Sequence, residues 1–460
     1  MIRKTIAELS RMIPVENDIS GIAGIEIHGV TINSNAVEPG NLFVPLKGER
    51  HDGHEFVAQA YEHGAAASLW KKDMPDPPAH LPLILVEDPL KALQDLAKAY
   101  RKELSGLQVV AVTGSNGKTT TKDMIATILS TRYRVKKTMG NFNNHIGMPL
   151  TILRFEQDTE VAVLEMGMNH PGEISFLSRL AEPDVAVITN IGEAHLSGLG
   201  SREGIAKAKM EILEGLKDGG LLVIPGDEPL IEKELAKREK RWEIRTFGHA
   251  GKNNFRPAQV HMENGWTTFT VKGMKEIFRL PVLGEHNVEN ALAAMLVGVH
   301  FHLTESEMRE AFKNLELSKM RMECQDGING AKVINDAYNA SPTSMKAALK
   351  TLSELKGYTK KIAVLGDMLE LGEKEVDFHR DVGRTIDPGK VEYVFTFGKL
   401  GRVIAEGCQE RFAPEKVFTF TDKEELVSRL IPLMDKDTVV LVKASRGMKM
   451  EEIVEKITMK

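Results

Sequence analysis

Val109-Val-Ala-Val-Thr-Gly-Ser-Asn-Gly-Lys-Thr-Thr120 decides how the rest of this 460-residue chain is read. Four apolar β-formers enter a glycine-rich turn, and Thr121 to Ser130 continue with apolar residues at helical spacing, so the order is strand, loop, helix. Backbone N–H groups of such a loop converge at the open end of a helix, where a polyphosphate can accept them. Lys118 then falls on the β- and γ-phosphates of a nucleoside triphosphate and Thr119 beside a magnesium ion. The spacing departs from the general phosphate-loop pattern, which has a glycine where this chain has Val112; what stands here is the shorter Gly114-x-x-Gly117-Lys118-Thr119.

Outward from that loop, apolar strands alternate with helices. Val109–Thr113, Val161–Glu165, Val185–Asn190 and Leu221–Pro225 are expected to form a parallel sheet covered on both faces, with ligands gathering at the strands' carboxyl ends. Glu165 and His195 fall at two of those ends. A carboxylate closing an apolar strand needs a cation or strong donors, which makes Glu165 a magnesium-side candidate. His195 alone reads as an ordinary structural histidine and becomes a site candidate only beside the loop and Glu165. Ala258–Gly273 reads as a hairpin about Asn264-Gly265, Leu283–Ala294 as a polar turn feeding a helix, and Thr304 with Glu307 as a capping box.

A second parallel sheet is expected from Ala331–Asn335, Lys361–Leu365, Val391–Phe397 and Thr438–Lys443. Asp336 ends its first strand and reads equally as a ribose contact or a capping acid. Before the loop, residues 1–104 read as a small α/β unit. Met1–Ile13 is expected to be a helix with Ile2, Ile6, Leu9 and Ile13 on one face. The polar loop Lys47–Glu55 reads as a solvated connection or a contact for a charged ligand. The fold class is therefore α/β in three domains, 1–104, 105–318 and 319–460.

Composition narrows the functions. Hydrophobic residues make up 42% and charged ones 27%, no apolar run approaches the ~20 residues of a membrane span, and the start lacks a signal-peptide core. Two cysteines, Cys324 and Cys408, indicate neither a disulfide framework nor a zinc site, and fit a reducing cytoplasm. The net charge of −5 gives no general attraction to nucleic acid.

Several segments in order resemble the Mur ligases of peptidoglycan synthesis: Thr113–Asp123, Asn143-Asn-His-Ile-Gly-Met-Pro-Leu150, Glu165-Met-Gly-Met-Asn169, Asn190–His195, Ala206-Lys-Ala-Lys209, His286–Ala294, Asp336-Ala-Tyr-Asn-Ala340 and Gly366–Gly372. The resemblance implies a domain for a UDP-linked substrate, a central ATPase domain and a Rossmann-like domain closing over ATP. It implies a monomeric, cytoplasmic, ATP-dependent ligase whose substrates are UDP-N-acetylmuramoyl-tripeptide and D-alanyl-D-alanine. By the same resemblance Gly114, Ser115, Asn116, Gly117, Lys118, Thr119 and Thr120 hold the phosphates, while Thr119, Glu165, His195 and Lys209 serve two magnesium ions. Lys209, a solvated helix residue on its own spacing, aligns with a lysine carried as a carbamate. Asn287 and Asn290 match positions near adenine, Arg321 a phosphate contact, Asp336 a ribose contact, and Asn143 and Asn144 a substrate contact. The family's Asp-Ser-Arg is here Asn33-Ser34-Asn35, leaving Ser34 as the candidate at the UDP end. A neighbouring ligase of the superfamily, or a phosphate-loop kinase, shares the architecture.

Overall fold

The computed structural model describes residues 1–263 and 265–459. Its centre is a six-stranded parallel sheet in the order Glu243–Phe247, Leu221–Pro225, Val185–Ile188, Gln108–Thr113, Val161–Glu165, Val135–Lys137. Side chains alternate across this sheet with period two. Val110, Val112, Val163, Val185 and Val187 enter one core, which takes in the helices Lys118–Leu129 and Glu285–His300. Val109, Ala111, Ala162, Leu164, Ala186 and Ile188 enter another, with Pro89–Glu103, Gly147–Leu153 and Glu173–Ala181. Both faces are dry, so these strands carry unbroken apolar runs, each buried Val or Ile contributing ~1.5–3 kcal/mol of transfer free energy.

The first core continues into the C-terminal region through Ile334, Met345 and Leu365, and the second into the N-terminal region through Ile2, Leu93 and Leu96. Each outer region thus docks through apolar contact on one face of the central sheet.

In the N-terminal region a parallel sheet runs Val30–Thr31, Leu42–Phe43, Ala67–Lys71, Leu83–Val86. The expected helix over Met1–Ile13 is corrected: Arg3–Thr5 is a strand, antiparallel to Glu26–His28, and only Ile6–Leu9 is helical. Thr5 is the cause. Its hydroxyl accepts from Glu8 N at 3.3 Å and Glu8 Oε2 accepts from Thr5 N at 2.7 Å, a capping box that fixes the helix start at Ile6. Ile2, Ile6, Leu9 and Ile13 are nevertheless all buried.

The C-terminal sheet has the order Glu323–Asp326, Lys332–Asn335, Thr438–Lys443, Lys360–Gly366, Tyr393–Phe397, Val417–Phe420. It is parallel except for Glu323–Asp326, an antiparallel edge that corrects the expectation of an all-parallel sheet. Pro257–Glu263 and Trp266–Val271 pair as the expected hairpin, with Asn264 of its turn outside the described residues, and Ile277–Leu280 adds a third strand. No described helix is long and apolar enough to cross a membrane.

Candidate active site

The loop after Gln108–Thr113 is shaped by what crowds it. Gly114 has φ +149° and Gly117 φ +78°; a Cβ on the first would overlap the Thr189 hydroxyl, and on the second the Asn290 amide oxygen. Thr189 Oγ1 donates to Asn116 O at 2.5 Å, Asn116 N donates to Asn190 Oδ1 at 2.9 Å, and Ser115 Oγ accepts from Gly192 N at 2.8 Å. The loop is therefore held by the end of the neighbouring strand Val185–Ile188. Gly117 caps Lys118–Leu129 without a side-chain hydrogen bond, leaving the helix N–H groups open toward a cavity of about 620 Å³. Lys118 Nζ donates to Gly114 O at 2.8 Å. Burial lowers its pKa, opposed by Glu165 and reinforced by Arg321.

Glu165 closes its strand at 3% exposure. Its Oε1 accepts from Asn143 Nδ2 at 2.8 Å, Lys122 Nζ stands 3.8 Å from Oε2, and Oε2 has no hydrogen-bond donor. A buried carboxylate oxygen without a donor costs ~1–3 kcal/mol or more, and a cation is the partner its chemistry calls for. His195 sits with φ +64°, its Nδ1 2.9 Å from Glu370 Oε2 in an approach out of line for a hydrogen bond. Burial, with Lys118 and Lys209 nearby, lowers its pKa against the opposing pull of Glu370, which favours the neutral ring that a metal needs. Among the described residues no group of three or more His, Cys, Asp or Glu side chains forms a metal cage. A hard cation here would be completed by phosphate and water oxygens, as magnesium sites are. The donor set of Thr119, Glu165 and His195 fits such an ion.

Lys209 ends the helix Arg202–Lys209 and is 1% exposed, which overturns its reading as a solvated helix residue. Ile205, Ala206 and Ala208 pack the same helix into the core. No described carboxylate lies within ion-pair distance of its amine. Burial, with Lys118 adding to it, holds its pKa well below the ordinary lysine value.

The C-terminal region closes the other side. Ser341 Oγ donates to Asn116 Oδ1 at 3.1 Å, Thr343 Oγ1 donates to Glu193, and Ser197 N donates to Glu370 O at 3.3 Å. Arg321 lies with its guanidinium 4.1 Å from the Tyr338 ring centroid and its Nε unpartnered. Asp336 is fully engaged: Lys443 Nζ donates to Oδ2 at 2.6 Å and Met322 N to Oδ1 at 3.1 Å. Asn287 Nδ2 donates to Leu283 O at 2.7 Å, and Asn290 Nδ2 to Asn287 Oδ1 at 3.1 Å.

The cavity thus gathers Ser115 through Thr120, Asn143, Asn144, Glu165, His195, Asn287, Asn290, Arg321 and Asp336. Asn144 is occupied in turn geometry, its Oδ1 accepting from Gly147 N at 2.8 Å. Ser34 is apart, its hydroxyl donating to Gln59 Oε1 at 3.0 Å in the N-terminal region. Glu370, Tyr338 and Lys443 line the cavity without having been assigned roles, although each lies in a strand-end segment that the alternating pattern marks. Nine asparagines line it, more than any other residue type, so uncharged amides stand among its charged groups.

A phosphate loop on one parallel sheet, covered by a second sheet that carries its own cations, defines a nucleotide-dependent enzyme acting in an enclosed cleft. Three family signatures cover the chain: "Mur ligase family, catalytic domain" matches residues 26–101, "Mur ligase middle domain" 112–298, and "Mur ligase, glutamate ligase domain" 320–446. The chain belongs to the Mur ligase family and is an ATP-dependent ligase with the family's three-domain α/β fold. It is 50% identical over 455 residues to the UDP-N-acetylmuramoyl-tripeptide–D-alanyl-D-alanine ligase of Bacillus subtilis, covering 99% of this chain and 98% of that one. It is 35% identical to the Escherichia coli enzyme of the same name, with the same coverage. Among solved structures it matches MurF from Acinetobacter baumannii with a TM-score of 0.90 at 30% identity, covering 99% and 98% of the two chains. It also matches Thermotoga maritima MurF ligase in complex with ADP, with a TM-score of 0.81 at 31% identity and coverage of 93% and 96%.

Proposed function

We propose that this chain joins D-alanyl-D-alanine to UDP-N-acetylmuramoyl-tripeptide at the expense of ATP, in the making of peptidoglycan precursors. The observation that supports it best is the pairing of an open phosphate-binding helix end with the buried, donor-free Glu165 Oε2 in one cavity closed by the C-terminal region. Names of relatives matching along the full chain supply the substrates.

In this reading the loop from Gly114 to Thr120 binds the phosphates, Lys118 neutralises charge on the β–γ bridge, and Arg321 reaches the terminal phosphate. Asn287 and Asn290 meet the adenine, and Asp336 the ribose by exchanging one of its present partners. A tripeptide carboxylate oxygen attacks the γ-phosphorus and ADP leaves. The free amine of D-alanyl-D-alanine then attacks the acyl carbon, losing a proton as phosphate departs. Magnesium ions held by Thr119, Glu165, His195 and a carbamylated Lys209 would supply electrostatic stabilisation of the phosphates. A deprotonated amine is what carbon dioxide requires, and the low pKa of buried Lys209 supports that modification. Asn143 orients Glu165 and, with Asn144, faces the incoming substrate. The assignment of Ser34 to the UDP end rests on the sequence resemblance. Segments 1–104, 105–318 and 319–460 act as substrate, ATP and closing domains of a cytoplasmic monomer.

The test is ADP release with each acceptor present or omitted. Release needing both the tripeptide nucleotide and D-alanyl-D-alanine is expected; equal release without the dipeptide would sink the ligase assignment.

A further inference from the structure

One fully buried carboxylate is used by none of the chemistry above. Asp123 lies in the helix that follows the phosphate loop, five residues beyond Lys118, and is 0% exposed. Its Oδ1 accepts from Lys137 Nζ at 2.7 Å and stands 3.5 Å from Lys122 Nζ. Its Oδ2 accepts from Ser318 N at 3.0 Å and from Ser318 Oγ at 2.8 Å. Ser318 is 195 residues away in sequence and lies in the connector between the last helix of the central region, Glu305–Lys313, and the first strand of the C-terminal one, Glu323–Asp326.

That connector carries an unusual backbone. Met320 has φ +62° and Met322 φ +51°, both left-handed without being glycine, and they flank Arg321. Such conformations persist only where the surroundings hold them. On the central side the holder is Asp123. On the C-terminal side Asp336 accepts from Met322 N at 3.1 Å, Glu323 Oε2 accepts from Met320 N at 2.9 Å, and Tyr338 N donates to Met320 O at 3.3 Å. Arg321, with its unpartnered Nε, is the residue this double grip aims into the cavity.

We propose that Asp123 and Ser318 are positioning residues: a buried latch ties the interdomain connector to the phosphate-loop helix and so fixes Arg321 against the terminal phosphate. Lys122 and Lys137 keep the Asp123 carboxylate charged in its apolar setting, and Lys122 also links it to Glu165 across 3.8 Å. The latch thereby joins the loop, the cation-side carboxylate and the hinge in one network. The proposal rests on the nucleotide reading of the cavity.

The test uses the full chain with Ser318→Ala, Ser318→Thr and Asp123→Asn. Trypsin cleavage after the exposed Lys319 reads the latch without any nucleotide. Ser318→Ala is expected to speed cleavage and to lower ATP turnover about tenfold each, the size of a lost hydrogen bond to a charged acceptor. ADP affinity should stay within about twofold, because the loop and helix end are untouched. Ser318→Thr, which keeps the hydroxyl, should recover most of both losses, and Asp123→Asn, which also takes the charged partner from the buried Lys122, should lose at least as much as Ser318→Ala. Unchanged cleavage in Ser318→Ala, faster cleavage with normal turnover, or equal losses in Ser318→Thr would each overturn the proposal. If the parent chain bound no ADP, the nucleotide reading would fall, and the latch would stand or fall on the cleavage rates.

Discussion

Gly114→Ala probes the phosphate loop at its tightest point. A Cβ there overlaps the Thr189 hydroxyl and comes within 3.0 Å of Thr189 Cβ and 3.1 Å of its backbone nitrogen. The hydroxyl can swing away only by giving up its 2.5 Å hydrogen bond to Asn116 O, a loss of ~1 kcal/mol. The backbone at φ +149° adds ~1–3 kcal/mol for any side chain. The sum, ~2–4 kcal/mol, predicts ADP binding weakened roughly 30- to 1,000-fold. Thr189→Ala alone removes only the hydrogen bond and should weaken binding about fivefold. In the double variant the overlap with the hydroxyl is gone, the tight approach to the Cβ and backbone nitrogen of position 189 stays, and the same hydrogen bond is lost once, so it should bind no worse than Gly114→Ala. The coupling is then ~1 kcal/mol, measurable by titration calorimetry across the four proteins. Strict additivity, or a Gly114→Ala effect below about threefold, would refute the steric account of this loop.

Three further outcomes are expected. Lys209→Arg should lose turnover by ~10²-fold or more, and a carbon-13 carbamate signal raised by labelled bicarbonate in the parent should be missing from it; an unlabelled, active parent would remove the modification. Asp336→Asn leaves the Lys443 ammonium, 3% exposed, without its charged partner and should cost ~3–5 kcal/mol, read as a shift of the urea midpoint. His286 is held near pKa 4 by burial, with Lys443 adding to it and Asp336 opposing. A histidine with a depressed folded-state pKa contributes stability that is full above its unfolded value of 6.5 and is lost as pH falls from there toward 4. The amount is at most ~3 kcal/mol, reduced by the ring's residual exposure. Melting curves at pH 7.5 and 5 should converge less in the parent than in His286→Asn.

The central strands were legible because both faces of their sheet are dry, which leaves unbroken apolar runs in Val109–Thr113 and Val161–Glu165. Four edge strands of the two large sheets were not, Val417–Phe420 because an apolar run of four residues does not by itself distinguish strand from helix. Val135–Lys137 contains two lysines, Glu243–Phe247 is half exposed, and Glu323–Asp326 is polar, since an edge needs no second apolar face and benefits from charge. Of the site, Lys118, Thr119 and Glu165 could be read because the chemistry and the strand end coincide locally. The burial of Lys209 could not, because it depends on helices packed from elsewhere in the chain. The same holds for Glu370, whose position beside His195 exists only once two domains meet.

The amide lining of the cavity bears on what can survive inside it. An activated acyl group is destroyed by any nucleophile that reaches it, yet the phosphates around it must be solvated by something. Asparagine side chains such as Asn116, Asn143, Asn190 and Asn290 present dipoles of both signs, titrate at no physiological pH, and attack nothing. They serve as an inert solvent fixed to the protein, polar enough to replace water and too unreactive to hydrolyse what water would.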